Sequence, residues 1–456
     1  MANQVEKVAG IAIASIEKIS SRTDANIQNI SGREFRSLVR YTQSEDLTHS
    51  AEQTSPYDTS SGRGYFNVLA WLYREGTTDR VLSAWFAYGA SPSSSSRLTC
   101  IQYNGTSAPA RTEQSVINAD NPGWWHVGVD TDTNTENQGV CIYTAGDVAS
   151  DPTYVARVLV DDSDDEITFG TPVAVTAGRS HGYVAHDKNT AGAFLAIVYD
   201  TTDSDSIILR AGTTSGSTIT LGTALDSSRS GDWPTIEADP NNAGRYAVGW
   251  KDDADGKAYA AIATVSGTSI TLGTPLAVSS GAAMNEDPEW IKWDKTRANI
   301  LHIAYVDSAN SSYPTQIGAS VAAGPTGTAI TLSSTGAEVA ESEACEGVNI
   351  TSDYFINNPH VDANQGAGFL MRSKGGANDS TGVFAWTCDE DQDYTIGNSS
   401  ELTGTSSVAR NGMAASPYTA GIHMLAYQDD LNAAGGYSEA YYARMKAVKL
   451  GGQWDA

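Results

Sequence analysis

WPTIEAD (233–239), RYAVGWKDD (245–253), AYAAIATVSG (258–267) and SITLGTPLAV (269–278) follow one another with only a few residues between them, and each reads as a β-strand. The first gap, opened by Asp239 and running through Pro240, Asn241, Asn242 and Gly244, holds the residue types that tight turns demand. Four strands joined in this way make one antiparallel sheet with two apolar faces. Such a sheet cannot cover itself.

The unit recurs. ITFGTP begins at Ile167, ITLGTA at Ile219, ITLGTP at Ile270 and ITLSST at Ile330, at spacings of 52, 51 and 60 residues. A second marker, an apolar strand closing on an aromatic residue, ends at Tyr88, Tyr143, Tyr199, Trp250, Tyr305 and Tyr427, and a degenerate copy ends at Ser373. Upstream of each lies a turn position: Thr77, Asp132, Asp187, Asp239, Asp294, Asp362 and Ser416. Seven copies of a four-stranded unit predict an all-β fold, a seven-bladed β-propeller over residues 65–456 in which radial stacking buries both faces of each sheet. A β-sandwich array would need larger modules, and a β-solenoid shorter periods.

Composition agrees. With 456 residues, 43 glycines and only 18% charged residues, the chain fits one large repetitive β domain better than a helical or disordered protein. The net charge of −26 leaves no basic stripe to neutralise phosphates, which argues against nucleic acid and against an anionic membrane surface. Cys100, Cys141, Cys345 and Cys388 show no CxxC spacing and read as buried free thiols, not zinc ligands. The apolar run from Val8 to Ile16 is too short to span a bilayer, and neither a signal peptide nor a membrane anchor is expected.

Residues 1–35 follow a different rule. VEKVAG at Val5, IEKISS at Ile16 and IQNISG at Ile27 start eleven residues apart. The aliphatic pairs Val5 and Val8, Ile16 and Ile19, Ile27 and Ile30 lie at i and i+3, which predicts short helical turns presenting three apolar stripes. Stripes so thin cannot form a core, so this segment is expected to dock on other proteins or other copies of the chain. Residues 36–64 read as linker plus one further strand. The last repeat, ending in YYARMKAVKL (441–450), lacks its outer strand, and a stretch between Arg33 and Asp58, around EFRSLVRY, is expected to supply it.

Candidate chemistry is sparse. The closest approach to the Asp-box of sialidases, SSRSGDW (227–233), has Arg229 where an aspartate should stand. A glycosidase needs only two carboxylates at a suitable separation and could hide among 54 acidic residues. His126, His181, His186, His302, His360 and His423 fit no nucleophile or zinc motif and read as structural. The segment from Asp130 to Glu136 alternates oxygen-bearing side chains as a calcium loop does, yet has Thr135 where that loop needs glycine, so no metal or cofactor is expected. Trp124, Trp125, Trp290 and Trp293 are the aromatic residues that could face a glycan.

The phrases IASIEKISSRTDANIQNISGREF and DPNNAGRYAVGWKDDADGKAYAAIATVSGTSITLGTPLAVSSG resemble virion structural proteins of tailed bacteriophages, marine ones in particular. The resemblance covers the N-terminal segment and most of residues 120–340. It implies a non-enzymatic fibre, appendage or capsid decoration on the particle exterior, present in many copies or as a homo-oligomer. In that reading it attaches to other virion proteins through residues 1–35 and presents its propeller to a host-surface glycan or receptor. The alternative is a secreted carbohydrate-active propeller, enzyme or lectin.

Overall fold

The computed structural model describes residues 63–88, 95–103, 110–118, 127–146, 150–178, 180–284, 289–353, 366–373, 381–397, 400–401, 412–418, 422–430 and 441–450, with short backbone ladders ahead of residue 63. The fold is all-β, a propeller-like arrangement of four-stranded antiparallel sheets. Among the described residues the helical content is one 3₁₀ turn, Ser308–Asn310, and no helix is long and apolar enough to cross a membrane.

Alternation explains the stacking. Along Ala193–Asp200, Phe194, Ala196 and Val198 pack with Val140 and Ile142 of the preceding repeat, while Leu195, Ile197 and Tyr199 share a core with Tyr246, Val248 and Trp250 of the following repeat. Successive side chains of a strand point to opposite faces, so an uninterrupted apolar run here means burial on both. All four cysteines are free and buried.

The expectation of seven separate sheets is not met. Six sheets have four or more strands, and one of them has nine. The cause is one long strand, Leu225–Ala238. Its first part pairs with Ser206–Ser215, as in Ile208 to Asp226, and its second part pairs with Arg245–Asp252, as in Ala238 to Tyr246. The outer edge of one repeat thus becomes the inner strand of the next without a break.

The two ends of the described chain meet. Met424 and Ala426 pack with Leu69, Trp71, Val81, Ile101 and Tyr103 of the first sheet. The strand Tyr441–Leu450 pairs with Leu47–His49 and with Gln53–Thr54. The partner of YYARMKAVKL thus lies between Arg33 and Asp58 as expected, in this pair of short strands, while most of EFRSLVRY lies outside the described residues.

The described residues of 1–35 lie in ladders where helical turns were expected: Lys7–Val8 with Ile11–Ala12, Lys18–Ile19 with Arg22–Thr23, and Asn29–Ile30 with Arg33–Glu34. In each, the register Val8 to Ile11, Ile19 to Arg22 or Ile30 to Arg33 leaves two residues between partners, the small pair of each repeat. An i,i+3 spacing across a small pair is what a two-residue hairpin also produces, and the hairpin wins here. Val5, Ile16 and Ile27 lie outside the described residues.

The turn between the first two strands of each repeat has one construction. Asp132, Asp187, Asp239, Asp294 and Asp353 donate their backbone N–H to the carbonyls of Gln138, Ala193, Arg245, Ile300 and Ala367 at 2.8–2.9 Å. The sixth turn thus opens at Asp353, not at Asp362, which lies outside the described residues. In the first four turns one carboxylate oxygen accepts the N–H two residues on, from Asn134, Asn189, Asn241 and Thr296. Ser416 does the same for Tyr418. Five residues beyond the aspartate stands a left-handed residue, Asn137, Gly192, Gly244 or Asn299, with φ between 61° and 72°. A Cβ on Gly244 would lie 2.3 Å from the Val265 carbonyl, so glycine is required there.

The second carboxylate oxygen reaches the next repeat. Asp132 accepts from Gly192 N at 2.7 Å and Asp187 from Gly244 N at 2.6 Å, while Asn134 and Asn189 donate to the carbonyls of Asp187 and Asp239. These aspartates are at most 3% exposed. Asp187→Ala leaves the Gly244 and Asn189 N–H groups without acceptors and is expected to cost about 2 kcal/mol in urea denaturation, against near zero for the exposed Asp162→Ala. Equal effects for the two variants would contradict the role given to the clasp.

Candidate functional site

Two residues before the turn aspartate, the innermost strands carry Asp130 and Glu237. Asp130 accepts from His186 N and from Lys188 Nζ, both at 2.8 Å. Glu237 accepts from Trp293 N at 2.9 Å and contacts Lys295 Nζ. Each acid thereby pins the innermost strand of the following repeat, which no ladder joins to its own. Both Lys188 and Lys295 directly follow a turn aspartate.

Glu289 stands five residues before Asp294. Its carboxylate accepts from Met413 N at 3.2 Å and lies 3.6 Å from Lys292 Nζ, and its N–H donates to Asn349 Oδ1. Asn349 and Met413 belong to the next two sheets, so Glu289 crosses from its own repeat past one neighbour to another. Only near the centre of a ring can a short side chain do this. Burial pushes the Glu289 carboxyl above the ordinary glutamate range; Lys292 and the Met413 N–H work against the shift, and the charges of Glu237 and Asp130 add to it. Asp130 moves the other way: burial would raise it, but Lys188 and His186 hold it below its usual value. Side-chain exposures of 12% for Glu289 and 20% for Asp130 keep both within reach of solvent. A carboxyl whose proton is held more tightly than usual, beside a carboxylate that gives its proton up more readily, is the arrangement of a general acid with an anionic partner.

Beside Glu289 the chain bulges. The ladder of Leu225–Ala238 slips between Asp232 and Thr235, and Trp233 takes φ 51°. A bulky residue in that region is unusual, and Pro234 further disfavours it by crowding the residue before it; such backbone costs about 1–3 kcal/mol. The Trp233 carbonyl accepts from Trp290 Nε1 at 3.2 Å, and its ring lies 6.1 Å from that of His181, itself bonded to Tyr199 Oη at 3.0 Å. On the other side Trp233, Lys251, Ala258, Ala283, Trp290 and Tyr305 line a cavity of about 10 Å³, room for one water. Asp205 and Asp253 flank this strand, Asp205 O accepting from Gly231 N and Asp253 N donating to Ser230 O. Burial, then Asp253 and Asp200, raise the Asp205 carboxyl.

The residues singled out from sequence fare differently. Trp290 and Trp293 are 2% and 1% exposed, their indole N–H groups given to the carbonyls of Trp233 and Glu237, so they are wall and not glycan face. Trp124 and Trp125 lie outside the described residues, as do His126 and His360. In the Asp130–Glu136 stretch, Asp130 and Asp132 accept from strand and turn donors, and no group of three ligands suited to a metal exists among the described residues. His302 bridges Asp294 and Tyr394, and His423 bridges Asp353 and Thr351, all within the framework.

No family model matches the chain, and no curated protein does. Among solved structures it is similar to a lectin from Burkholderia pseudomallei, at 14% identity over 80% of this chain and 94% of that one, with a TM-score of 0.52. It is also similar to an α-L-arabinofuranosidase from Fusarium graminearum (11%, 88% and 98%, TM-score 0.46) and an α-L-arabinanase from Penicillium chrysogenum (10%, 87% and 98%, TM-score 0.44). The expectation of a non-enzymatic chain is corrected by the presence of these glycoside-cleaving proteins among the matches. At such identities the likeness shows the fold alone.

Because the folded pKa of Glu289 lies above its unfolded value, ionisation weakens the fold as pH rises past the unfolded value. Glu289→Gln is therefore expected to raise the melting temperature at about pH 8 and to change little at about pH 4. A variant that is destabilised at both would show that the carboxylate form is needed for folding.

Proposed function

We propose that this chain is a carbohydrate-active propeller whose axial carboxylates bind and cleave a glycosidic bond. The observation that carries the reading is Glu289, held toward its protonated form within electrostatic reach of an Asp130 held ionised. Glu289 serves as general acid, giving its proton to the leaving oxygen. Asp130 faces the developing positive charge or activates a water on the opposite side. Lys188 keeps Asp130 ionised, and Lys292 limits how far Glu289 is raised.

A ring of seven stations belongs to this proposal. What supports it is that each repeat has its own antiparallel ladder, the nine-stranded sheet holding two of them. The division into residues 1–35, 36–64 and 65–456 is kept as part of the same reading. Display on a virion exterior, in several copies attached through residues 1–35 to other virion proteins, is a further proposal. The phrase resemblance supports it, together with three hairpin ladders that offer a repeated surface.

The test is release of reducing ends from a panel of polysaccharides including arabinan, xylan and β-glucan, with wild type and Glu289→Gln compared. At least one polymer is expected to be cut, and the variant to be slower by about 100-fold or more, the scale of a positioned general acid. No release from any polymer, or release that Glu289→Gln leaves unchanged, would remove the axial acids from the account.

A further inference from the structure

His181 lies six residues before Asp187 on its innermost strand, and the ring of Trp233 on the following one lies 6.1 Å from the His181 ring. The Trp233 carbonyl accepts from the indole of Trp290, the residue after Glu289, so the three lie together at the end of these strands away from the clasps. Trp233 differs from the other tryptophans among the described residues. Trp71, Trp85, Trp250, Trp290, Trp293 and Trp386 are buried, whereas Trp233 is partly exposed and held by a bulge in a conformation that a buried wall residue would not need. Bulges commonly re-aim a side chain beside a working site.

We propose that Trp233 is a stacking platform for a neutral, β-linked pyranose chain entering the axial site. The proposal rests on the carbohydrate reading above, but not on catalysis by Glu289. An indole presents a flat apolar face, and a β-linked pyranose with equatorial hydroxyls presents a matching face of axial C–H bonds. The groups around it choose the charge. Glu289, Asp205 and Asp253 near the platform, on a chain of net charge −26, repel a uronic acid polymer. Lys251 on one flank offers its ammonium to hydroxyls at the ring edge. The cavity under Trp233 holds one water at most, so the sugar lies across the indole and not beneath it. On the same strand Glu237 is four residues further on, roughly 13 Å at strand rise, which sets the depth of the axial site below the platform at two to three sugar rings.

The test titrates the full chain with cellohexaose by calorimetry, with maltohexaose and a galacturonate hexamer as the α-linked and anionic comparisons. Cellohexaose is expected to bind best, Trp233→Ala to weaken it at least about tenfold, and Trp233→Phe and the exposed Asp162→Ala to stay within about threefold. A measurement on the unaltered fold guards against a variant that fails to fold. With 5-fluorotryptophan in place of the ten tryptophans, cellohexaose should move one ¹⁹F resonance, and that resonance should be the one missing from Trp233→Phe. No binding of cellohexaose, stronger binding of the galacturonate hexamer, an unchanged Trp233→Ala, or movement of a different resonance overturns the proposal. Loss of turnover in Glu289→Gln with unaltered binding by Trp233→Ala would sink the platform and leave the catalytic reading standing. Binding through Trp233 without turnover of any polymer would do the reverse.

Discussion

The structure depends on a buried aspartate that serves two repeats at once. In Asp187 one carboxylate oxygen closes its own turn through Asn189 N, and the other takes the N–H of Gly244 in the following repeat. A carboxylate at 3% exposure is costly unless its oxygens are hydrogen-bonded, and here each accepts from a backbone donor. Among the described residues, stacked repeats make no ladder to one another beyond the strand that crosses at Leu225–Ala238. Apolar contacts between them set distance but not height. The aspartate sets the height, because its oxygen must meet one particular N–H.

That fixed height makes an axial site feasible. Asp130 and Glu237 sit two residues from their clasps and Glu289 five, so a shift of one residue in any repeat would turn these side chains to the other face of the strand. Where a clasp changes chemistry the purpose is kept. Asp239 engages Arg245, whose guanidinium carries the link on to Asn299, and Asp294 engages Arg297 and His302. Burial would raise the Asp294 carboxyl, yet these donors hold it well below the usual range. Glu289 and Trp233 lie toward the end of the innermost strands away from the clasps.

Much of the fold was legible in the sequence because the turn demands its residues. Asp at the first position, Asn two on and Gly or Asn five on appear in DKNTAG and DPNNAG, and each has a structural reason. The sixth repeat hid its aspartate because the loop after Asp353 is longer, which let Asp362 stand in for it. The N-terminal hairpins were misread because a two-residue connection and a helical turn both bring i and i+3 together. The site was less legible. Asp130 and Glu237 could have been found as the acid two before the turn aspartate, in DTD and EAD, with a lysine after the next one. Nothing in the sequence marks Glu289, whose importance comes from convergence across three sheets. Trp290 and Trp293 looked like surface residues since a strand pattern gives no depth, whereas Trp233 was quoted only as the start of a strand.

The central claim is that carboxylates from separate repeats converge on the axis and keep Glu289 toward its protonated form. The direct measurement is a pH titration of glutamate side-chain carboxyls by ¹³C NMR, with the Glu289 signal assigned by its loss in Glu289→Gln. The account predicts a midpoint above the ordinary glutamate range that falls when Glu237 is replaced by Gln, since the charge of Glu237 helps to raise it. An ordinary midpoint, or one indifferent to Glu237, would contradict it.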